Sequence, residues 1–173
     1  MALVNDPNVE GPTMKCMECG GSVTTKREDV KYDFSGLPGV TLKSIEVSRC
    51  AECDEYEMAI PRIEELHGLI AGVLIAKRSR LTPEEIRFLR KLLGWSGADF
   101  AKAMGTTPET VSRWENGATP MGVQADRLLR LTVAHLKPID DYGEDQLRNT
   151  ALTKARPVKL GLRATAKGWR EAA

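Results

Sequence analysis

The chain has 173 residues, 42% hydrophobic and 5% aromatic, with 25 Lys+Arg against 24 Asp+Glu. That length suits one ordinary domain or two small ones; the near-neutral charge excludes a polycation, and the scarcity of aromatics favours helical over all-β cores. No run of roughly eighteen apolar residues occurs, so no membrane span is expected.

Residues 1–13 are polar, contain Pro7, Gly11 and Pro12, and have no apolar run of the signal-peptide kind. They read as a flexible leader on a cytoplasmic chain, whose thiols would stay reduced. Then come the four cysteines, in two C-x-x-C pairs: Cys16 and Cys19, then Cys50 and Cys53, with thirty residues between. Each pair can offer two thiolates to one cation, and two pairs complete a tetrahedral S4 shell, which suits one structural Zn²⁺ per chain. A full shell leaves no open position for metal catalysis, so His67 and His135 are expected to be surface or helix residues rather than ligands. A C-x-x-C redox couple is the rival reading; it would prefer one pair beside a βαβ pattern, whereas here two pairs frame a β-rich stretch.

Within residues 14–60, Val23 to Thr25 reads as a short strand, Val30, Tyr32 and Phe34 alternate as a half-buried one, and Val40, Leu42, Ile45 and Val47 form another. Ser35 to Gly39 carries turn residues between them. So small a module buries little core, and a bound ion is expected to supply much of its folding free energy.

Residues 61–80 predict a connecting helix. Pro61 can begin it, Glu64 and Glu65 suit its first turn, and Lys77, Arg78 and Arg80 suit its end. Ile63, Leu66, Ile70, Val73 and Leu74 make its apolar stripe.

Residues 81–137 predict a run of capped helices. Thr82, Pro83 and Glu85 form a capping box; Ser96 with Asp99 and Thr107 with Pro108 open the next two helices; a fourth spans about 121–136 and carries Leu128, Leu131 and Val133. Gly105 permits the tight turn between the middle pair, and that geometry predicts a helix-turn-helix. The second of the pair, about 107–116, would enter the major groove. Its Glu109, Thr110 and Arg113 lie away from inward-facing Val111 and Trp114, and Arg113 can make a bidentate contact to guanine. Ser96 and nearby amides can hold a phosphate.

Residues 138–173 read as a flexible basic tail, either solvated or adding phosphate contacts. Charge is segregated along the chain. Residues 14–60 hold six Lys/Arg against nine Asp/Glu, residues 77–137 eleven against six, and residues 148–173 seven against one. A nucleic-acid partner should prefer the second and third segments.

The run Gly105 to Gly117, with Val111-Ser112-Arg113-Trp114-Glu115-Asn116-Gly117 at its end, resembles an Xre/Cro-type helix-turn-helix, as does Leu92 to Ala101. Met14 to Gly21 and Ser48 to Glu55 resemble a YgiT-type zinc finger. In this order the two resemble the MqsA family of antitoxins, over roughly residues 14–137. The resemblance implies an α+β chain, with a small β-rich zinc module followed by an all-α, lambda-repressor-like domain. It implies a structural zinc, an N-terminal module that binds a ribonuclease toxin, and a C-terminal homodimer that represses its own operon at a palindrome. The DNA-facing set it implies is Ser96, Gly97, Thr107, Glu109, Thr110, Ser112 and Arg113. Two positions depart from the pattern: Glu109 replaces a base-reading asparagine, and Gly97 replaces a glutamine near the DNA backbone.

The expectation is a non-enzymatic, sequence-specific DNA-binding repressor of antitoxin type, with double-stranded DNA, a second copy and a basic ribonuclease as partners. Its rivals are a free-standing zinc-containing regulator and a zinc-ribbon interaction adaptor.

Overall fold

A computed structural model describes residues 15–136, 149–151 and 153–172. The leader and residues 137–148 lie outside the described residues. The elements in order are β1 (Val23–Lys31), β2 (Val40–Cys50), β3 (Tyr56–Ala59), α1 (Ile63–Ala76), α2 (Pro83–Leu92), α3 (Gly97–Ala103), α4 (Pro108–Glu115), α5 (Val123–Leu136), β4 (Leu160–Thr165) and β5 (Gly168–Glu171). The α+β class holds: a β-rich region carrying the cysteines precedes a helical region.

The sheet is built around β2. β1 pairs antiparallel along one edge. The other edge is shared end to end: β3 pairs antiparallel with residues 46–49, and β4 pairs parallel with residues 40–43. β5 then closes a hairpin on β4. A parallel neighbour cannot be reached by a tight turn and needs a long crossover. Here the crossover is the whole helical region, so the helices are an insertion between β3 and β4, anchored at both ends.

This corrects the expected flexible tail. Leu160, Leu162 and Ala164 alternate with Gly161, Arg163 and Thr165, and the first set turns inward, Leu162 fully buried. Gly39 allows the approach: a Cβ there would meet the Val158 carbonyl oxygen at 1.9 Å. The Leu160 amide donates to the Gly39 carbonyl at 2.9 Å. At the hairpin turn Gly168 has φ +137°, and a Cβ there would strike the Glu65 carboxylate at 2.2 Å.

The expectation of a nearly coreless metal module is corrected too. Val40, Leu42, Ile45, Val47, Leu160, Leu162 and Trp169 share one apolar cluster with Leu66, Ile70, Leu74 and Ile75 of α1 and with the helices beyond. Burying a side chain of this size contributes roughly 1.5–3 kcal/mol. Trp169 also donates from Nε1 to the Pro61 carbonyl at 2.8 Å, and its amide donates to Glu65 at 3.0 Å. β5 therefore holds the start of α1.

Several local expectations shift. The strand expected to run through Tyr32 and Phe34 ends at Lys31, and Asp33–Ser35 forms a 3-10 turn that leaves Phe34 78% exposed. Asp29 is the irregular residue of the β1–β2 register; its carboxylate accepts from the Ser44 amide at 2.9 Å and from Lys43 at 2.8 Å. The connecting helix spans 63–76 rather than 61–80, because Lys77 is already extended. His67 is half-buried, with Nε2 2.9 Å from the Tyr32 hydroxyl and its ring edge-on to Phe88.

Two buried ionic clusters tie α5 and α2 to the end of α1 and to the segment before β4. Arg130 of α5 is 0% exposed. Its Nε donates to Asp126 at 2.5 Å, and its other nitrogens donate to the carbonyls of Leu74, Ile75, Lys77 and Ser79 at 2.8–3.2 Å. It therefore caps the carbonyl end of α1 from another helix, where the last turn has no intrahelical partners. Asp126 also accepts from the Leu81 amide at 2.8 Å. In the second cluster, buried Glu85 accepts from the Thr82 amide at 2.7 Å, from Lys77 Nζ, and from the Val158 amide at 3.2 Å. A capping-box residue of α2 thus also holds the segment leading into β4.

Breaking a buried ion pair by removing one partner costs about 3–5 kcal/mol. Arg130→Met is expected to lower unfolding free energy by about that amount in urea, with part recovered in the double variant Arg130→Met/Asp126→Leu. A loss below about 1 kcal/mol, the value of an exposed pair, would contradict the assignment.

Candidate metal centre and nucleic-acid interface

The four cysteines converge from two knuckles of one design. In the first, the Gly20 amide donates to the Cys16 carbonyl and the Cys16 amide to the Gly21 carbonyl, both at 2.9 Å. In the second, the Cys50 amide donates to the Glu55 carbonyl at 2.9 Å. Each knuckle turns through a left-handed residue four places after its first cysteine: Gly20 at φ 74° and Asp54 at φ 58°. Asp is among the few side chains that tolerate that region. The Ala51 amide donates to the Ser22 carbonyl at 3.1 Å and joins the knuckles.

All four sulfurs lie within 4.8 Å of one another. Cys16 and Cys53 Sγ are 3.6 Å apart, and Cys19 and Cys50 Sγ 3.4 Å. A tetrahedral ion with bonds of about 2.3 Å to sulfur needs edges of about 3.8 Å, so the donor set fits. Backbone amides point at two sulfurs: Gly21 N at Cys19 and Glu52 N at Cys50, each at 3.4 Å. The amides of Glu52 and Cys53 hold the Cys50 thiol down at about 7. The Glu55 amide acts the same way on Cys53, but the surrounding sulfurs outweigh it and push that thiol up to about 12. A bare cluster therefore favours one thiolate and resists further ionisation, a conflict that a dication resolves. When bound, a metal supplies a crosslink between the two knuckles. None of the four residues was missed by the sequence, and no histidine joins them among the described residues.

The second site is built on α3 and α4. Ser96 caps α3: its Oγ accepts from the Asp99 amide at 3.1 Å, and Asp99 accepts from the Ser96 amide at 3.0 Å. The Ser96 hydroxyl, donating to the Asp99 carboxylate at 2.6 Å, and then the Ser96 amide hold that carboxyl below its usual value. Gly97 opens the helix beside Ser96. The turn runs through Gly105 at φ 63°, and Thr107 caps α4 by accepting from the Thr110 amide at 3.3 Å. Val111 and Trp114 are buried, Trp114 edge-on to Phe100 at 6.4 Å. Glu109, Ser112 and Arg113 are exposed, and Thr110 is half-exposed.

The Glu109 carboxyl is held low by its own amide, then by the Thr107 hydroxyl and by the charge of Arg113. The carboxylate thus folds back over its own helix start. No ion pair within 4 Å joins Glu109 to Arg113 among the described residues.

Sequence reasoning missed what holds α4 in place. Arg90 of α2 makes a two-pronged contact to the Glu115 carboxylate at 2.6 and 3.1 Å and donates to the Trp95 carbonyl at 2.6 Å. Arg87 donates to the Glu115 carbonyl at 2.6 Å and to Asn116 Oδ1 at 3.3 Å. Glu115 lies 28 and 25 residues further along the chain, and only its arrival beside the two arginines gives them a role. On α5, Leu129 and Val133 are buried, while Leu128 and Leu131, three residues apart on the same helix, stay exposed.

Residues 86–132 match the protein-family model described as Helix-turn-helix. The match begins in α2, covers α3 and α4, and ends in α5. It supports a DNA-binding transcriptional regulator. No curated protein and no solved structure matches the chain. No helix among the described residues is long and apolar enough to cross a membrane.

Because the knuckles sit at the end of a sheet that has its own core, metal removal is expected to act locally. Chelation should abolish hydrogen-exchange protection at Cys16, Gly20, Cys50 and Ala51 while β2–β4 and helix amides keep theirs. Global unfolding by chelator would contradict this.

Proposed function

We propose that the protein is a sequence-specific transcriptional repressor of antitoxin type that binds a palindromic operator as a homodimer. The observation that carries DNA reading is a capped helix, α4, whose inner face is locked by Val111 and Trp114 and whose outer face presents Thr110 and Arg113. A second helix at the required angle to a first lets such a face enter the major groove. Arg113 reads a base. Ser112, Thr107 and the start of α3 at Ser96 and Gly97 hold the backbone, and Glu109, occupied with its own helix start, stays out of the way of phosphate. Repression is occlusion of a promoter and needs no bond to be broken.

The cysteine cluster takes one structural Zn²⁺. The surface near it is acidic, with Glu18, Glu52, Asp54, Glu55 and Glu57 all exposed. Such an end suits a basic ribonuclease toxin and repels a phosphate backbone. The division of labour is therefore a metal-tied, toxin-facing region and a DNA-reading helical region. The apolar pair Leu128 and Leu131 is the surface through which a second copy packs, bringing two α4 helices one DNA turn apart.

Gel-shift titration with duplex from upstream of the native locus tests the reading. Arg113→Ala is expected to lose about 1–3 kcal/mol per half-site against that duplex and nothing against a scrambled one. Equal affinity of wild type for both duplexes would defeat it. In sedimentation, Leu128→Lys/Leu131→Lys is expected to yield a folded monomer with weakened operator binding; an unchanged dimer would move the interface elsewhere.

A further inference from the structure

The outer face of the sheet carries an arrangement that folding alone does not favour. Lys43 of β2 lies directly opposite Arg163 of β4, and Arg163 directly opposite Arg170 of β5. Three cations thus form a row across three neighbouring strands, on the face turned away from the apolar core. Like charges directly opposite each other destabilise a sheet. Among the described residues, only Lys43 has a close acid in the row, Asp29 at 2.8 Å; Arg163 acts on Asp29 through space. Arg163 and Arg170 are exposed. Exposed Lys31, opposite Thr41 on the same face, and exposed Lys167 in the β4–β5 turn extend the cationic ground. Glu46, Glu52, Asp54, Glu55 and Glu57 lie towards the metal, where Lys26, Arg27 and Arg49 also stand. Around the β4–β5 hairpin the cations Lys43, Arg163, Lys167 and Arg170 outnumber the acids Asp29 and Glu171.

We infer that the cationic row Lys43–Arg163–Arg170 is a second, sequence-independent contact surface for the phosphate backbone of duplex DNA. The row stands on paired strands, so its charges are held in place rather than carried on a loose arm. Its chemistry is that of a phosphate ladder: long cationic side chains and, among the described residues, no base-stacking aromatic on the face. The absence of aromatics disfavours single-stranded nucleic acid, whose binding depends on base stacking. This rests on the proposal that α4 binds duplex DNA. It adds that the sheet face turned away from the helices offers phosphate contacts of its own.

The test compares wild type with Arg163→Gln/Arg170→Gln. Binding is measured over a series of salt concentrations, on a duplex long enough to extend past both recognition helices. Each lost phosphate contact makes the slope of log K against log salt shallower by about 0.9. The double variant should therefore be shallower by about two units for each protomer bound, and weakened equally on upstream and scrambled duplex. Arg163→Lys/Arg170→Lys, which keeps the charges, should keep the slope. The melting temperature of the glutamine variant should be unchanged or higher, because like-charge repulsion is removed. An unchanged slope would overturn the inference, including the case in which the variant instead loses single-stranded RNA binding. Failure of the DNA reading itself looks different: wild type would then not distinguish upstream from scrambled duplex, whatever the slope.

Discussion

A single buried guanidinium sets the geometry of this molecule. Arg130 gathers the Asp126 carboxylate and four carbonyls from the end of α1 and the segment after it. Those carbonyls would otherwise be orphaned in an apolar setting, at a cost of roughly 1–3 kcal/mol each. Asp126 in turn fixes the Leu81 amide at the doorway of α2. One residue of α5 therefore decides how the helix packed on the sheet leads into the helices that face DNA. Glu85 repeats the device, with Lys77 on one side and the segment before β4 on the other. Because the helical region is an insertion between sheet strands, it is held at two ends and cannot swing as a pendant domain would.

The metal has a narrower task than the cysteine spacing suggested. The sheet draws its core from α1 and from β4 and β5, so the apolar cluster runs unbroken from Tyr32 to Trp169. The cysteines stand at the tip, three of them exposed or half-exposed. A cation bound there would tie two loops together; the apolar cluster around β2 holds none of the four cysteines.

Local chemistry was legible in the sequence and non-local chemistry was not. The capping boxes at Thr82–Glu85 and Ser96–Asp99 are formed by residues three apart, so spacing alone reveals them. The four thiols were legible because two C-x-x-C pairs leave no other arrangement for a shared ion. The hairpin at 160–171 was hidden for a physical reason. Its alternation is short and interrupted by Gly161 and Arg163, and its partner strand lies more than a hundred residues away. Asp126 and Arg130, four apart on a helix, have the spacing of an ordinary surface pair; burial alone makes them a lock. Phe34 went the other way: its alternation with Tyr32 suggested a strand, but the turn at Gly36 ends the pairing first.

The central claim is that the metal-tied sheet and the DNA-reading helices are one rigid body. Residual dipolar couplings of the metal-loaded protein in a weakly aligning medium test it most directly. Amides of residues 23–59 and of residues 83–134 are predicted to fit a single alignment tensor. Two tensors of different magnitude or orientation, one for each set, would contradict it.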